Sequence, residues 1–323
     1  MRAYLVQFCT LTAVLGWGGC APEDSTPTAT GGSPAATGGT GPVATGGMSG
    51  GTASGGKASG GTASGGKATG GARATGGAAS GGATAACDPS TAQVGYTCTS
   101  GWGATMSPYI LNNNWWGTDG ATGTQCLWGT CQNGDTIGWV TNWNWSGGSN
   151  WVLTYTSVVF GWQYGFPVAN TGLPIQVSSG KAINCGWDYA LTQTSGSFNV
   201  AYDIWLHDTA TPPSSGGQAG EIMIWLYNQG AAPAGSVTVS SISVGGAPWN
   251  LWVGNVGWPV YSYVRTSNVT SATLNVMDFT GDLVNRKYVP QTQYVSSVQA
   301  GIEVRKGTTS GTLKTNSFYC RIQ

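Results

Sequence analysis

The sequence predicts an all-β domain, a jelly roll of two antiparallel sheets packed as a sandwich, with a concave cleft and one short helix. Three observations support this fold class. Short segments after residue 88 are rich in Trp, Tyr, Val and Thr, residues that favour strands. Gly, Ser and Asn clusters separate these segments and are typical of turns. A length of about 235 residues suits a single all-β domain with its own core.

The apolar segments give the predicted strands and helix. Turn signals include Ser146-Gly147-Gly148 and Gly245-Gly246. Each strand segment is short and bounded by such a signal, as sandwich and jelly-roll folds require. The predicted strands are residues 151–159, 198–206, 221–227, 236–244, 249–253, 260–264, 272–278 and 295–304, and the one predicted helix is at about residues 278–287.

The first 20 residues resemble an export signal. Arg2 supplies a positive start, and residues 3–15 are largely apolar but too short to span a bilayer as a mature helix. The segment ends in Gly16-Trp17-Gly18-Gly19-Cys20, which is similar to a bacterial lipobox except that Trp17 stands where Leu is usual. A lipid anchor through Cys20 and simple secretion therefore both stay open. In either case we expect the protein to be extracellular or at the cell surface, as a secreted protein or an outer-membrane lipoprotein.

Residues 21–86 form a predicted linker. From Gly50 the sequence repeats Gly-Gly-Thr-Ala-Ser and Gly-Gly-Lys-Ala-Ser, with almost no large apolar side chain. Such a segment cannot bury enough surface to offset its chain entropy. We expect no fixed structure here, so the folded domain is predicted to span residues 87–323.

The composition of the chain limits which partners it can bind and which chemistry it can perform. The formal net charge is zero and 7% of residues are charged, so no basic surface for nucleic acid is expected. The single histidine, His207, cannot form a multi-histidine zinc site, and we interpret it as a solvated loop residue. We expect no metal and no cofactor. Six cysteines fall within the domain, and in an exported chain an even number favours disulfides, with 15 possible pairings.

The glutamates are the main candidates for chemistry. The whole chain contains three, and Glu23 lies in the predicted linker, so the domain has only Glu221 and Glu303. In the segment Glu221–Leu226, the side chains of Ile222, Ile224 and Leu226 share one strand face, and Glu221, Met223 and Trp225 share the other. The second face combines a carboxylate, a thioether and an indole, which suits the wall of a cleft that holds a sugar.

Two further carboxylates follow the same pattern. Glu303 lies on the face of its strand opposite Val298, Ala300, Ile302 and Val304, and Asp203 lies opposite Tyr202, Ile204 and Leu206. If the three strands belong to one curved sheet, their carboxylates can converge on its concave surface. The alternative, three unrelated acids that face solvent, stays open at this point.

Five segments in order resemble glycoside hydrolase family 12, the small jelly-roll endoglucanases and xyloglucanases. The resemblance covers most of residues 98–318. The segments are Asn112-Asn113-Asn114-Trp115-Trp116-Gly117, Trp143-Asn144-Trp145-Ser146-Gly147-Gly148, Asn199-Val200-Ala201-Tyr202-Asp203-Ile204, Glu221-Ile222-Met223-Ile224-Trp225-Leu226 and Val298-Gln299-Ala300-Gly301-Ile302-Glu303.

This resemblance implies a secreted, endo-acting, retaining hydrolase of β-1,4-glucosidic bonds in cellulose-like glucan, mixed-linkage β-glucan or xyloglucan. Glu221 would attack the anomeric carbon, and Glu303 would act as general acid and then as general base. Glu303 must begin protonated, which its burial and the nearby charge of Glu221 would favour. Asp203 would hydrogen-bond Glu221 and hold it in place.

The resemblance also implies the sugar contacts. Asn114, Trp116 and Trp102 would line the sites on the non-reducing side of the cut, and Met223 would lie at the reacting centre. Trp225 and Gln299 complete the expected substrate-binding set, although packing is an alternative role for Met223 and Trp225. A Cys98–Cys126 disulfide is implied as well. The expected partner is a β-glucan polysaccharide, and we expect a monomer.

One segment departs from the family pattern, and two alternative functions stay open. The residues after Glu303 are Val304-Arg305-Lys306-Gly307, where the family commonly has Pro or another residue and then an aromatic, so the floor of the cleft differs there. A tethered glucan-binding protein without activity is an alternative function. A jelly-roll xylanase is a weaker one, because that family's nucleophile strand is typically Glu-Tyr-Tyr and not Glu-Ile-Met.

Overall fold

The structure of the protein is a computed structural model that describes residues 93–164 and 170–323. The predicted export segment, the predicted linker and Cys87 lie outside the described residues. In chain order the elements are β1 (Val94–Thr97), β2 (Gly101–Met106), β3 (Tyr109–Asn114), β4 (Ala121–Asn133), β5 (Thr136–Gly147), β6 (Val152–Gly161), β7 (Ile175–Gln176), a 3₁₀ turn (Val177–Ser179), β8 (Ile183–Ser195), β9 (Phe198–His207), β10 (Gln218–Gln229), β11 (Ser236–Val244), β12 (Ala247–Asn255), β13 (Pro259–Arg265), β14 (Ser271–Asn275), α1 (Val276–Asn285), β15 (Tyr294–Arg305) and β16 (Thr309–Ile322).

Two sheets form the sandwich, which confirms the predicted all-β class. The smaller sheet has six strands in the order β1-β4-β5-β16-β8-β14. The larger has the order β11-β12-β13-β10-β9-β15-β6-β3-β2, with the short strand β7 also paired to β15. The central strands of the larger sheet, β10, β9 and β15, are those that the sequence pattern identified as carriers of carboxylates.

One strand pair departs from the predicted antiparallel arrangement. Strands β10 and β13 run parallel, with Glu221 beside Val260 and Trp225 beside Val264. All the other described pairs are antiparallel. The parallel pair arises because the chain crosses from β10 to the far edge of the sheet and returns through the antiparallel unit β11-β12-β13. A parallel pair needs such a long connection.

The main core lies between the sheets and contains the apolar side chains that alternate along β9, β10 and β15. From the smaller sheet, Trp139 and Trp187 stack with ring centroids 5.8 Å apart, and Phe318 packs edge-on against Trp139. A second apolar cluster on the opposite face of the larger sheet includes Met223, Trp225 and Val264. The larger sheet therefore packs apolar side chains on both faces at its centre.

The boundary between β14 and α1 differs from the prediction. The sequence pattern predicted a strand over residues 272–278, whereas the strand ends at Asn275 and the helix begins at Val276. The Asn275 side chain accepts a hydrogen bond from the backbone N–H of Met277 at 3.1 Å, which is an N-cap. It also donates to Asp278 Oδ1 at 2.9 Å. In the described part of the chain no helix is long and apolar enough to cross a membrane.

Two disulfides form among the described residues. Cys98–Cys126, the pairing implied by the family resemblance, is present. Cys185–Cys320 joins the neighbouring strands β8 and β16. Their separation of 135 residues means that the bond constrains a long loop of the unfolded chain. Cys131 forms no disulfide among the described residues.

The interpretation of His207 as a solvated loop residue is wrong. His207 ends strand β9 and has no exposed surface. Its Nδ1 atom is 2.8 Å from Ser296 Oγ, and its ring packs edge-on against Trp162 at 4.6 Å. Burial lowers the pKa of His207, because it disfavours the charged imidazolium. The polar sequence that follows His207 indicates a loop, but that loop begins one residue later.

Candidate active site

The three carboxylates lie on one face of the larger sheet. Asp203 on β9 is directly opposite Met223 on β10 and Gln299 on β15. Residues directly opposite on neighbouring strands point to the same side. Glu221 is two residues from Met223, and Glu303 is four residues from Gln299, so both share that side. The alternation read from the sequence and the pairing of the strands therefore agree.

The opposite face of the same strands explains the local folding. Ile222, Ile224 and Leu226 of β10 are all fully buried in the core between the sheets. Burial of each such side chain stabilises the fold by roughly 1.5–3 kcal/mol. A one-residue slip in register would move all of them out of this core to the opposite face, so their burial holds Glu221 on the cleft side.

Glu221 has a neutral hydrogen-bond donor. The indole N–H of Trp258, in the turn before β13, donates to Glu221 Oε2 at 2.8 Å. Trp258 is half-buried and packs edge-on against Trp205 at 5.6 Å. Burial raises the pKa of Glu221 to about 7, the Trp258 bond opposes that rise, and the charge of Glu303 adds to it.

Glu303 has a charged donor. Arg305 Nη2 donates to Glu303 Oε2 at 2.8 Å, and the side-chain amide of Asn199 donates to the same oxygen. Both carboxylates are equally buried, with 8% of each residue exposed. The Arg305 contact is a charge-assisted hydrogen bond, which is stronger than the neutral contact at Glu221.

Electrostatic interactions connect the three carboxylates. Burial raises the pKa of Asp203 well above its usual range, and the charges of Glu221 and Glu303 raise it further. Burial also raises the pKa of Tyr155, with further contributions from the charges of Asp203, Glu303 and Glu221. The three carboxylates on this face therefore lie near enough to influence one another's charge state.

The expected hydrogen bond from Asp203 to Glu221 is not formed among the described residues. Asp203 Oδ1 is buried and has no partner in the described chain. Burial nevertheless raises the pKa of Asp203 well above its usual range, which favours the protonated form. A protonated carboxyl group is a donor as well as an acceptor, so Asp203 is chemically able to donate to a carboxylate across the cleft.

The predicted sugar-binding residues have different accessibility. Trp102 and Trp116 are 40% and 53% exposed, and Asn114 is half-buried. Exposed indoles are suited to stacking on sugar rings. Met223 is 5% exposed and lies beside Glu221 on the cleft face.

Trp225 and Gln299 are more enclosed. Trp225 has no exposed surface and packs in the second apolar cluster, beneath the guanidinium of Arg305. This burial favours the packing alternative, and Trp225 offers no surface to a sugar. Gln299 is 1% exposed and donates to Gln163 Oε1 at 3.1 Å, so its amide supports the cleft wall.

The sequence analysis missed three residues of the site. Trp258 and Asn199 hydrogen-bond the two glutamates across 37 and 104 positions of sequence, and no local pattern marks such partners. The sequence did mark the position of Arg305, because the segment Val304-Arg305-Lys306-Gly307 departs from the pattern that the family commonly shows.

Comparisons with known proteins agree with this site. The family model of Glycosyl hydrolase family 12 matches residues 107–323. Endoglucanase S of Pectobacterium parmentieri is 38% identical over 209 residues, covering 62% of this chain and 76% of that protein. Xyloglucan-specific endo-beta-1,4-glucanase A of Emericella nidulans is 38% identical over 221 residues, covering 67% of this chain and 86% of that protein.

Solved structures give the same result. The family 12 xyloglucanase from Bacillus licheniformis superposes with a TM-score of 0.64 at 34% identity, covering 71% of this chain and 100% of that chain. Endoglucanase 3 of Trichoderma harzianum gives a TM-score of 0.61 at 29% identity, covering 71% of this chain and 97% of that chain. With two buried glutamates on one cleft face and a family match over two thirds of its length, this chain belongs to glycoside hydrolase family 12.

Proposed function

We propose that the protein hydrolyses internal β-1,4-glucosidic bonds of a glucan with retention of configuration, and that xyloglucan is its preferred substrate. The observation that carries this proposal is the placement of Glu221 and Glu303, the only glutamates of the predicted domain, on one cleft face. The electrostatic interaction between them supports their action on a common bond.

Glu221 acts as the nucleophile in this mechanism. Its carboxylate attacks the anomeric carbon while Glu303 transfers a proton to the leaving oxygen, so the glycosidic bond breaks and a covalent glycosyl-enzyme forms. Trp258 holds Glu221 Oε2 at 2.8 Å and orients the other oxygen toward the sugar.

Glu303 then acts as the base. It takes a proton from water, and the water oxygen bonds to the anomeric carbon as Glu221 leaves. Glu303 is thereby returned to its protonated form, and Glu221 to its carboxylate. The Asn199 and Arg305 contacts hold Glu303 Oε2, which leaves the second oxygen available for both proton transfers.

Asp203 supports the nucleophile. Burial and two neighbouring charges raise the pKa of Asp203, and its protonated form would donate to Glu221 when substrate fills the cleft. That bond would stabilise Glu221 as a carboxylate, both before attack and as the leaving group of the second step.

Sugar binding falls to the residues at the edge of the cleft. Trp102 and Trp116 have the exposed surface that stacking requires, and Asn114 supplies an amide for hydroxyl groups. Met223 would pack against the sugar at the cleavage site. The names of relatives favour xyloglucan, since one is called a xyloglucan-specific endo-beta-1,4-glucanase and a structural neighbour is called a xyloglucanase.

The proposed location is outside the cytoplasm, with the protein as a monomer. The apolar segment of residues 3–15 supports export, and two disulfides are consistent with an oxidising compartment. Anchoring through Cys20 is the further proposal that the Gly18-Gly19-Cys20 ending supports.

A substrate panel tests the proposed function. The purified chain would be assayed for reducing ends on xyloglucan, mixed-linkage β-glucan, carboxymethylcellulose and xylan, with viscosity measured in parallel. We expect the highest rate on xyloglucan and a fall in viscosity that precedes most of the reducing-end release. Binding without release would favour the non-catalytic alternative, and a preference for xylan would contradict the proposed substrate class. The product anomer, followed by proton NMR, should be β at early times.

A further inference from the structure

Arg305 is a buried cation next to one of the two glutamates. Its Nη2 atom is 2.8 Å from Glu303 Oε2, and only 7% of its side chain is exposed. A buried arginine without a carboxylate partner is costly, so the pair is expected to stay intact in the folded protein. This inference rests on the proposed role of Glu303 as general acid and base.

The position of Arg305 is held by its surroundings. Its guanidinium carbon lies 5.4 Å from the centre of the Trp225 ring, a cation–π distance. Trp225 is itself fully buried, and the backbone N–H of Arg305 donates to the carbonyl of Ser197 at 3.0 Å. The guanidinium is therefore a fixed charge and not a mobile surface group.

The groups around Glu303 come from four strands. Tyr155 comes from β6, Asn199 and Asp203 from β9, Glu221 from β10 and Arg305 from β15. Among these described neighbours Arg305 is the one cation, and it faces three carboxyl groups. It opposes the raised pKa of both Glu221 and Asp203.

We propose that Arg305 is a positioning residue that fixes the Glu303 carboxyl group and favours its ionised form, and that it thereby sets the alkaline limit of hydrolysis. The free enzyme needs Glu303 protonated for the first step. A guanidinium that favours the ionised form makes this proton leave at lower pH.

Carbon-13 NMR tests the charge effect without using activity. The chain has only three glutamates, so selective labelling of the glutamate carboxyl carbon gives three resonances, which Glu221→Gln and Glu303→Gln assign. In Arg305→Met we expect the titration midpoint of the Glu303 carboxyl group to rise by about one pH unit, the lower end of the effect of a close cation. Arg305→Lys should retain most of the wild-type midpoint. An unchanged midpoint in Arg305→Met would overturn the proposal.

A matched control and a second neutral variant complete the test. Arg286→Met removes an arginine of a different ion pair, to Asp282 at 2.7 Å on α1, and should leave the Glu303 midpoint unchanged. Arg305→Gln keeps a polar side chain and replaces Arg305→Met if thermal unfolding shows that Met prevents folding. A shift of equal size in Arg305→Lys and Arg305→Met would also contradict the proposal, because it would not depend on charge.

The pH dependence of kcat/KM on xyloglucan gives the functional result. We expect the alkaline limb to move to higher pH by about one unit in Arg305→Met, and by much less in Arg305→Lys and Arg286→Met. An alkaline limb that stays in place while Glu303→Gln is inactive would contradict only the role of Arg305. Absence of hydrolysis by the wild-type chain would instead contradict the proposed function, and the NMR titration would still decide the charge effect.

Discussion

Glu221 and Glu303 occupy equivalent positions in the fold but have different partners. Both lie on the same face of the larger sheet, one strand on either side of β9, and both are 8% exposed. Glu221 accepts a hydrogen bond from a neutral indole, whereas Glu303 accepts from an arginine and an amide. The pKa of Glu221 is raised to about 7. At equal burial, the two carboxylates therefore differ in the number and charge of their hydrogen-bond donors.

The largest expected effect is the loss of the proposed nucleophile. Glu221→Gln should lower kcat on xyloglucan by about 10⁴-fold or more, because no covalent intermediate can form. Circular dichroism should show an unchanged fold. The matched control is Glu23→Gln, the same substitution in the predicted linker, which should keep wild-type activity. Substantial turnover by Glu221→Gln would remove this residue from its role.

The second prediction separates the roles of the two glutamates. Glu303→Gln should lower activity on the polysaccharide by about 10³-fold, within the usual contribution of a general acid or base. An aryl glycoside with an activated leaving group needs no acid in the first step, and azide can replace the activated water of the second. With this substrate and azide, Glu303→Gln should regain much of its rate, whereas Glu221→Gln should not. The reverse pattern would exchange the two roles.

The third prediction concerns stability. Above pH 4.5 the unfolded chain ionises Glu221, but the folded chain keeps it protonated up to about pH 7. The folded state then binds more protons, so the free energy of unfolding falls as pH rises through this window, by up to about 3 kcal/mol for this group. Urea unfolding at pH 4.5 and pH 8 should show that Glu221→Gln loses this part of the pH dependence. Identical pH dependence in both proteins would refute the raised pKa.

The smallest expected effect is the loss of the neutral donor. Trp258→Phe removes the indole N–H that stabilises the Glu221 carboxylate, so the pKa of Glu221 should rise further. We expect kcat/KM to fall about 10-fold at pH 6, equivalent to about 1.4 kcal/mol, and less at pH 8. Trp252→Phe, a change in another half-buried indole of the same apolar cluster, is the control. Equal losses in both variants would indicate a packing effect only.

Sequence patterning located the larger sheet much better than the smaller one. Strands β9, β10 and β15 alternate large apolar side chains with cleft residues, and all three were predicted. Strand β16 also alternates, but its inward positions include Thr309, Gly311 and Thr315. Small and polar residues at buried positions give little hydrophobic contrast, so β16 was missed. Strands β4, β5 and β8 were missed as well, although β5 and β8 bury Trp139 and Trp187.

The sequence by itself determined that each carboxylate lies on the face of its own strand opposite the core side chains, because side-chain direction along a strand alternates with a local period of two. Only the tertiary structure put the three strands side by side, so that these faces coincide. The sequence also indicated the family and, through it, the Cys98–Cys126 pair, which the structure contains. Only the tertiary structure decided that His207 and Trp225 are fully buried, and that Trp258 and Arg305 hold the two glutamates. Burial and hydrogen-bond partners depend on how strands and turns pack across the fold, and a local pattern contains no record of that packing.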